Sequence, residues 1–150
     1  MAPRKYRMDK RQQAVAETRG RILDATVALH GEQGILATSW EDIAQKADVA
    51  LATVYRHFPS LDDLVPACGQ KVAGIIRPPT WESVRGAPID TSDQPGRVKS
   101  LVKEIFDFYE CGQVFLDVAL RDASQVPTLA EFLTGWDAAR KEIVTGILEI

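Results

Sequence analysis

The stretch TSWEDIAQKADVALATVYRHFPSLDDL, residues Thr38–Leu64, decides the fold of this chain. Thr38 is followed three residues later by Glu41, and Ser39 by Asp42. Either pair can form a capping box, in which a side-chain oxygen takes an orphan backbone N–H at a helix start. Ile43, Ala44 and Ala47 then give a short helix one apolar face. Asp48 ends it, as one of the few non-glycine residues that tolerate the left-handed backbone a tight turn demands. Val49 can plug the angle to a second helix, expected from about Ala50 to His57. On that helix Val54 and Phe58 point back toward Ile43, which leaves Thr53, Tyr55, Arg56 and His57 facing outward. Pro59 stops it, because the residue before a proline is pushed out of the helical region. Two helices joined by a turn of about three or four residues form a helix-turn-helix, whose second helix can enter a DNA major groove.

The ordered set around this unit resembles the DNA-binding domain of the TetR (tetracycline-repressor-like) family of bacterial transcription regulators. The resemblance starts at Arg21–Ile22–Leu23–Asp24–Ala25 and continues through Gly34, Thr38–Ser39, Asp42–Ile43–Ala44 and Val49. It ends with Thr53–Val54–Tyr55–Arg56–His57–Phe58–Pro59 and Leu64, and covers roughly residues 19 to 66 at the family's usual spacing. Three positions depart from the pattern. Members often carry Ser-Lys-Gly where this chain has Ala50–Leu51–Ala52, which removes a phosphate-binding lysine and a hydroxyl. Leu61 stands where a lysine is common, and His30 where phenylalanine is usual.

The resemblance implies an all-α protein. It has an N-terminal three-helix DNA-binding domain and a C-terminal helical domain for ligand binding and dimerisation. It also implies a homodimer on a palindromic double-stranded operator, most simply a repressor released by a small-molecule effector, with no cofactor, no enzyme activity and a cytoplasmic location. The expected DNA-binding residues are Thr38, Ser39, Trp40, Ala50, Leu51, Ala52, Thr53, Tyr55, Arg56 and His57. Thr53 would meet a base edge. Tyr55, His57 and a hydroxyl of the Thr38–Ser39 pair would fix the backbone register. Trp40 can lie along the sugar-phosphate chain or serve the core. Arg56 can contact phosphate or pair with an acid on the first helix.

Composition agrees. With 45% hydrophobic and 26% charged residues the chain is ordinary globular material, and no run reaches the length of a membrane span. Met1–Gln13 is too polar for a signal peptide. Cys68 and Cys111 have neither metal spacing nor a disulfide framework, and read as buried, reduced thiols. A net charge of −3 looks wrong for a DNA binder until it is divided. Residues 1–21 hold Arg4, Lys5, Arg7, Lys10, Arg11, Arg19 and Arg21 against Asp9 and Glu17. Residues 1–11 are expected to be a basic flexible arm that either follows the phosphates or floats as a solvated tail.

The expected domain order is that arm, the helix-turn-helix domain over 12–59, and a regulatory domain over 60–150. The first helix should run from about Gln12 to Glu32, with Val15, Thr18, Ile22, Ala25 and Leu29 on one stripe and Gly34 as its stop. Helix 60–76 is the connector, capped by Ser60 and Asp63. It carries Pro66, a static bend or a kink that transmits motion. Residues 77–96 hold four of the eight prolines and read as a long loop with a helical turn near Trp81–Val84. A helix then runs to Gly112 and another from Val114 to Ala123. A last helix is capped by Thr128 and Glu131 and carries Leu129, Phe132, Leu133, Trp136, Ile143 and Ile147. It reaches Ile150 with no stop signal. Family members continue for two further helices that make the dimer interface, so the resemblance implies more chain beyond it.

Candidate linings of an effector pocket are Phe106, Tyr109, Phe115, Leu116, Leu120 and Trp136, with Phe108 and Phe132. An aromatic at helical spacing is as readily a core residue. Arg121 and Asp122 can pair with each other or with a neighbour, or anchor a polar ligand group. His30 and His57 have no cysteine or carboxylate pattern near them that suggests a metal or a triad, and no glycine-rich phosphate loop is present. The competing reading is a helical ligand-binding or protein-interaction module whose DNA contacts have decayed at Ala50–Ala52. The operator, the effector, the regulated genes and the sign of regulation do not follow from the sequence.

Overall fold

Between Arg4 and Gln33 the sequence holds no proline, and the backbone runs as one helix, α1. The computed structural model describes residues 4–85 and 93–149. In chain order α1 is followed by α2 (Trp40–Lys46), α3 (Leu51–His57), α4 (Leu61–Ile76), α5 (Trp81–Arg85), α6 (Gln94–Asp122) and α7 (Pro127–Glu149). No strand occurs among the described residues. The chain divides into two units, Met1–Cys68 and Gly69–Ile150, so the boundary expected at 59/60 falls inside α4 instead.

In the first unit α1 starts well ahead of Gln12. Residues 4–11, expected as a flexible arm, extend it by about two turns, because arginine, lysine and methionine are good helix formers. The side chains of Arg4, Lys5 and Arg7 lie outside the described residues. Asp9–Glu17 are exposed and Val15 is 50% exposed, so the buried stripe begins later than expected, at Ile22, Ala25, Thr26 and Leu29. Thr26 is buried without penalty because its hydroxyl donates to the Ile22 carbonyl at 2.8 Å. Gly34 stops the helix at φ 97°, its N–H donating to the His30 carbonyl.

α1 packs on α2, and α2 on α3. Ile43, Ala44, Ala47, Val54, Phe58, Leu64 and Val65 are buried. α4 opens on a second capping pair: the Ser60 hydroxyl accepts from the Asp63 N–H and donates to its carboxylate. Pro66 lies inside α4, and Cys68 is buried, whereas Cys111, also expected to be buried, is exposed on α6.

In the second unit α5 packs on α6, and α6 on α7. Val84 and Leu101 form a buried pair, flanked by Val98, Ile105, Ile143 and Val144. Ser100 is fully buried and donates to the Val84 carbonyl at 3.0 Å, fixing α5 to α6. The expected loop over 77–96 contains α5 as anticipated and ends early, because Asp93 caps α6 by accepting from the Gly96 N–H. Residues 86–92 of that loop lie outside the described residues.

Gly112, expected as a helix stop, lies buried in the middle of α6, which runs unbroken to Asp122. A Cβ there would stand 3.1 Å from Leu116 and 3.4 Å from Ile76, so the glycine serves close packing. The expected cap of the last helix at Thr128 and Glu131 also gives way. Pro127 is the first residue of α7, and the Val126 carbonyl accepts from Leu129 and Ala130. The expected apolar side chain of Ile147 lies outside the described residues. Among the described residues no helix is long and apolar enough to cross a membrane.

Candidate nucleic-acid interface

Of the two possible caps at the start of α2, the chain uses Ser39 with Asp42. The Asp42 N–H donates to the Ser39 hydroxyl oxygen at 3.1 Å, and the Ser39 N–H donates to the Asp42 carboxylate at 3.0 Å. The Ser39 side chain, then its backbone N–H, hold the Asp42 carboxyl below its ordinary value. The Thr38 hydroxyl donates to the Gly34 carbonyl at 2.7 Å, and the Ser39 hydroxyl to Asp42 at 2.6 Å. Neither hydroxyl can donate to a phosphate without first leaving its partner, which qualifies the role expected of this pair.

α2 ends in a Schellman turn. The Val49 N–H donates to the Ala44 carbonyl at 3.0 Å and the Asp48 N–H to the Gln45 carbonyl at 3.2 Å. Asp48 takes the left-handed position of that motif at φ 52°. The turn delivers α3 with Ala50 as its N-cap, which offers no side-chain hydrogen bond. Val54 and Phe58 are 0% exposed and anchor α3 in the core. The other side presents Ala50, Ala52, Tyr55 and Arg56 to solvent, with Leu51, Thr53 and His57 half-buried. Among the described residues Arg56 forms no ion pair with an acid of α1.

Trp40, for which sugar-phosphate or core contact was open, is half-buried and packs on Tyr55, with centroids 5.1 Å apart. Burial, then the positive charges of Arg56 and Arg19, push the His57 imidazole below its ordinary value. Two contacts lie outside what local spacing reveals. The Arg19 guanidinium donates to the His57 carbonyl at 3.1 Å and lies 4.1 Å over the Phe58 ring. Arg21 donates to the Ala47 carbonyl at 3.4 Å. Both arginines belong to the basic stretch 1–21, and both reach helix ends. Lys46 pairs with Glu32 on α1 at 2.8 Å.

The second unit holds a cavity of about 570 Å³, within the usual range for small-molecule sites. α6, α7 and the Pro78–Thr80 segment line it. Of the expected pocket residues, Tyr109, Leu116, Leu120 and Trp136 border it, with Phe108. Phe106 does not: it is 71% exposed. Phe115 is not among the lining residues either, and Phe132 packs on Trp136 with centroids 5.3 Å apart. The wall is mostly apolar, with a polar corner where Arg140 donates to the Tyr109 hydroxyl at 2.5 Å and to Asp137. Arg121 and Asp122 pair with each other at 2.8 Å. Among the described residues no cluster of histidine, cysteine or carboxylate could hold a metal.

The family model described as bacterial regulatory proteins, tetR family, matches residues 22–68. The chain is 41% identical over 76 residues to the HTH-type transcriptional repressor KstR of Mycobacterium tuberculosis, a match covering 50% of this chain and 34% of that protein. It is 33% identical over 132 residues to a second HTH-type transcriptional repressor of that organism, covering 83% of this chain and 60% of that protein. The chain thus spans between about a third and three fifths of these relatives. Among solved structures it resembles SCO7518 from Streptomyces coelicolor A3(2), with a TM-score of 0.69 at 23% identity, covering 85% of this chain and 73% of that one. That likeness concerns the fold alone. The match over 22–68 spans the whole helix-turn-helix, so this segment of the chain is similar to the tetR family of bacterial regulatory proteins.

Proposed function

We propose that this chain is a sequence-specific DNA-binding transcriptional regulator that acts as a homodimer on a palindromic operator in the cytoplasm. The observation that carries the reading is the two-sidedness of α3. Val54 and Phe58 are wholly buried, while Ala50, Ala52, Tyr55 and Arg56 stand exposed on a helix delivered by a Schellman turn. A helix so anchored can enter a major groove with its outer side toward the bases. Repression is the proposed mode, in line with the names of both M. tuberculosis relatives. The proposed release signal is a small molecule in the cavity of the second unit. Its ten or so apolar walls and single bonded polar corner suit a mostly apolar body with one hydrogen-bonding end.

Selection of bound duplexes from a random pool tests the reading. An inverted repeat should emerge, with half-sites about one helical turn apart and binding that weakens as salt rises. A pool that stays random after repeated rounds would sink it.

A further inference from the structure

We propose that Arg19 is a positioning residue for DNA recognition: it fastens the C-terminal end of α3 to α1 and does not itself contact phosphate. The inference rests on the DNA-binding reading above. α3 is seven residues long and has no side-chain N-cap, so it depends on tertiary contacts for its helical form and its angle. Val54 and Phe58 fix one side of it. Its last carbonyls are orphans of the kind every helix end carries. The Arg19 guanidinium donates to the His57 carbonyl at 3.1 Å while its Cζ lies over the Phe58 ring, 4.1 Å from the centroid. One side chain thereby satisfies a terminal carbonyl, places a cation at the negative end of the helix dipole, and stacks on the core anchor. Arg21, two residues on, reaches the Ala47 carbonyl at the end of α2. α1 thus supplies a tie to the end of each helix of the motif.

An exposed arginine beside a DNA-reading helix is ordinarily assigned to phosphate, and the two roles differ in measurable ways. A phosphate contact releases counterions, so its loss lowers the slope of log affinity against log salt by about 0.9. Loss of a positioning residue lowers affinity at every salt concentration and leaves the slope unchanged. Lysine can replace a phosphate contact, but it lacks the planar fork that both donates and stacks.

The experiment compares the full chain with Arg19→Lys and Arg19→Gln. Binding to the selected duplex is measured across a salt series, and amide hydrogen exchange is measured on the free proteins. Both variants should bind about tenfold more weakly with an unchanged salt slope. Exchange should quicken at Val54–Phe58 while α6 and α7 keep their protection. Unchanged affinity would overturn the proposal. So would an affinity restored by lysine, or a slope reduced by about 0.9 with α3 exchange unaltered. If the wild-type chain selects no duplex, the DNA-binding reading fails. The exchange arm still decides whether Arg19 holds α3, since it is read without DNA.

Discussion

Trp40 and Tyr55 pack ring against ring, with centroids 5.1 Å apart and planes 33° apart, so the first residue of α2 supports the most exposed aromatic of α3. Tyr55 remains 42% exposed, which leaves its hydroxyl outside the stack. Tyr55→Phe keeps the ring packing and removes only the hydroxyl. It should weaken binding to all duplexes alike by roughly 1 kcal/mol, about fivefold. Trp40→Ala removes the support as well and should cost more. Titration of both variants against selected and scrambled duplexes checks this. A Tyr55→Phe protein with altered base preference and unchanged affinity would contradict the phosphate role.

Thr53 is half-buried, one residue before the fully buried Val54, and this places it between the core and the outer side of α3. A short side chain there can reach a base edge only by close approach of the helix to the groove floor. Thr53→Ala should therefore change preference at one position in each half-site, with little effect on non-specific binding. Repeating the pool selection with the variant reads this directly. A general loss of affinity with an unchanged consensus would place Thr53 elsewhere.

Asp48 carries the left-handed backbone of the turn at φ 52° and is exposed, so its side chain adds no packing. Asp48→Gly should raise stability by about 0.5 kcal/mol, the relief of Cβ strain being partly offset by a freer unfolded chain. Asp48→Val should lower stability by roughly 1–2 kcal/mol, since a β-branched residue tolerates that region poorly. Denaturant titration of the three proteins orders them. A glycine variant less stable than aspartate would mean that the Asp48 carboxylate contributes something the backbone does not reveal.

What the sequence made legible was local. The Ser39–Asp42 box, the Ser60–Asp63 cap, the Asp48 turn and the burial of Val54 and Phe58 each follow from residues within a few positions of one another. Arg19 meets the end of α3 from 38 residues away, and no spacing rule announces that. α6 misled for a different reason. Val102, Phe106, Tyr109 and Leu120 are apolar yet 42–71% exposed, so periodicity alone could not say which side faces the cavity. Gly112 resembles a stop because glycine weakens helices, but it lies buried where a Cβ would crowd Leu116 at 3.1 Å. The expected arm became helix because charge pattern says nothing against helicity where no proline or glycine intervenes.

His57 connects the motif to pH. Burial, then Arg56 and Arg19, lower its pKa, so the free protein holds it neutral near pH 7. Its stabilising contribution is complete above the unfolded value of about 6.5 and is lost as pH falls through the lowered folded value. A nearby phosphate acts oppositely and favours the charged ring. DNA binding should therefore take up a proton and tighten as pH falls from 8 toward 6, while the free protein loses thermal stability over the lower part of that range. His57→Gln should flatten the binding profile. A wild-type affinity independent of pH would place the imidazole away from phosphate.

The cavity of the second unit offers a test that needs no knowledge of the natural effector. A neutral apolar fluorophore should bind in its roughly 570 Å³ and quench Trp136, which lines it beside the Tyr109–Arg140 corner. Ala139 also lines the cavity and is exposed, so a larger side chain can enter there without displacing the core. Ala139→Trp should weaken fluorophore binding about tenfold, a loss of about 1.4 kcal/mol, and leave the melting temperature within a degree or two. Phe106→Ala, at the 71% exposed position outside the lining, should leave binding unchanged. Equal binding by the wild type and Ala139→Trp would mean that the fluorophore sits on another surface, such as the exposed side of α6. The cavity would then lose its claim as the effector site.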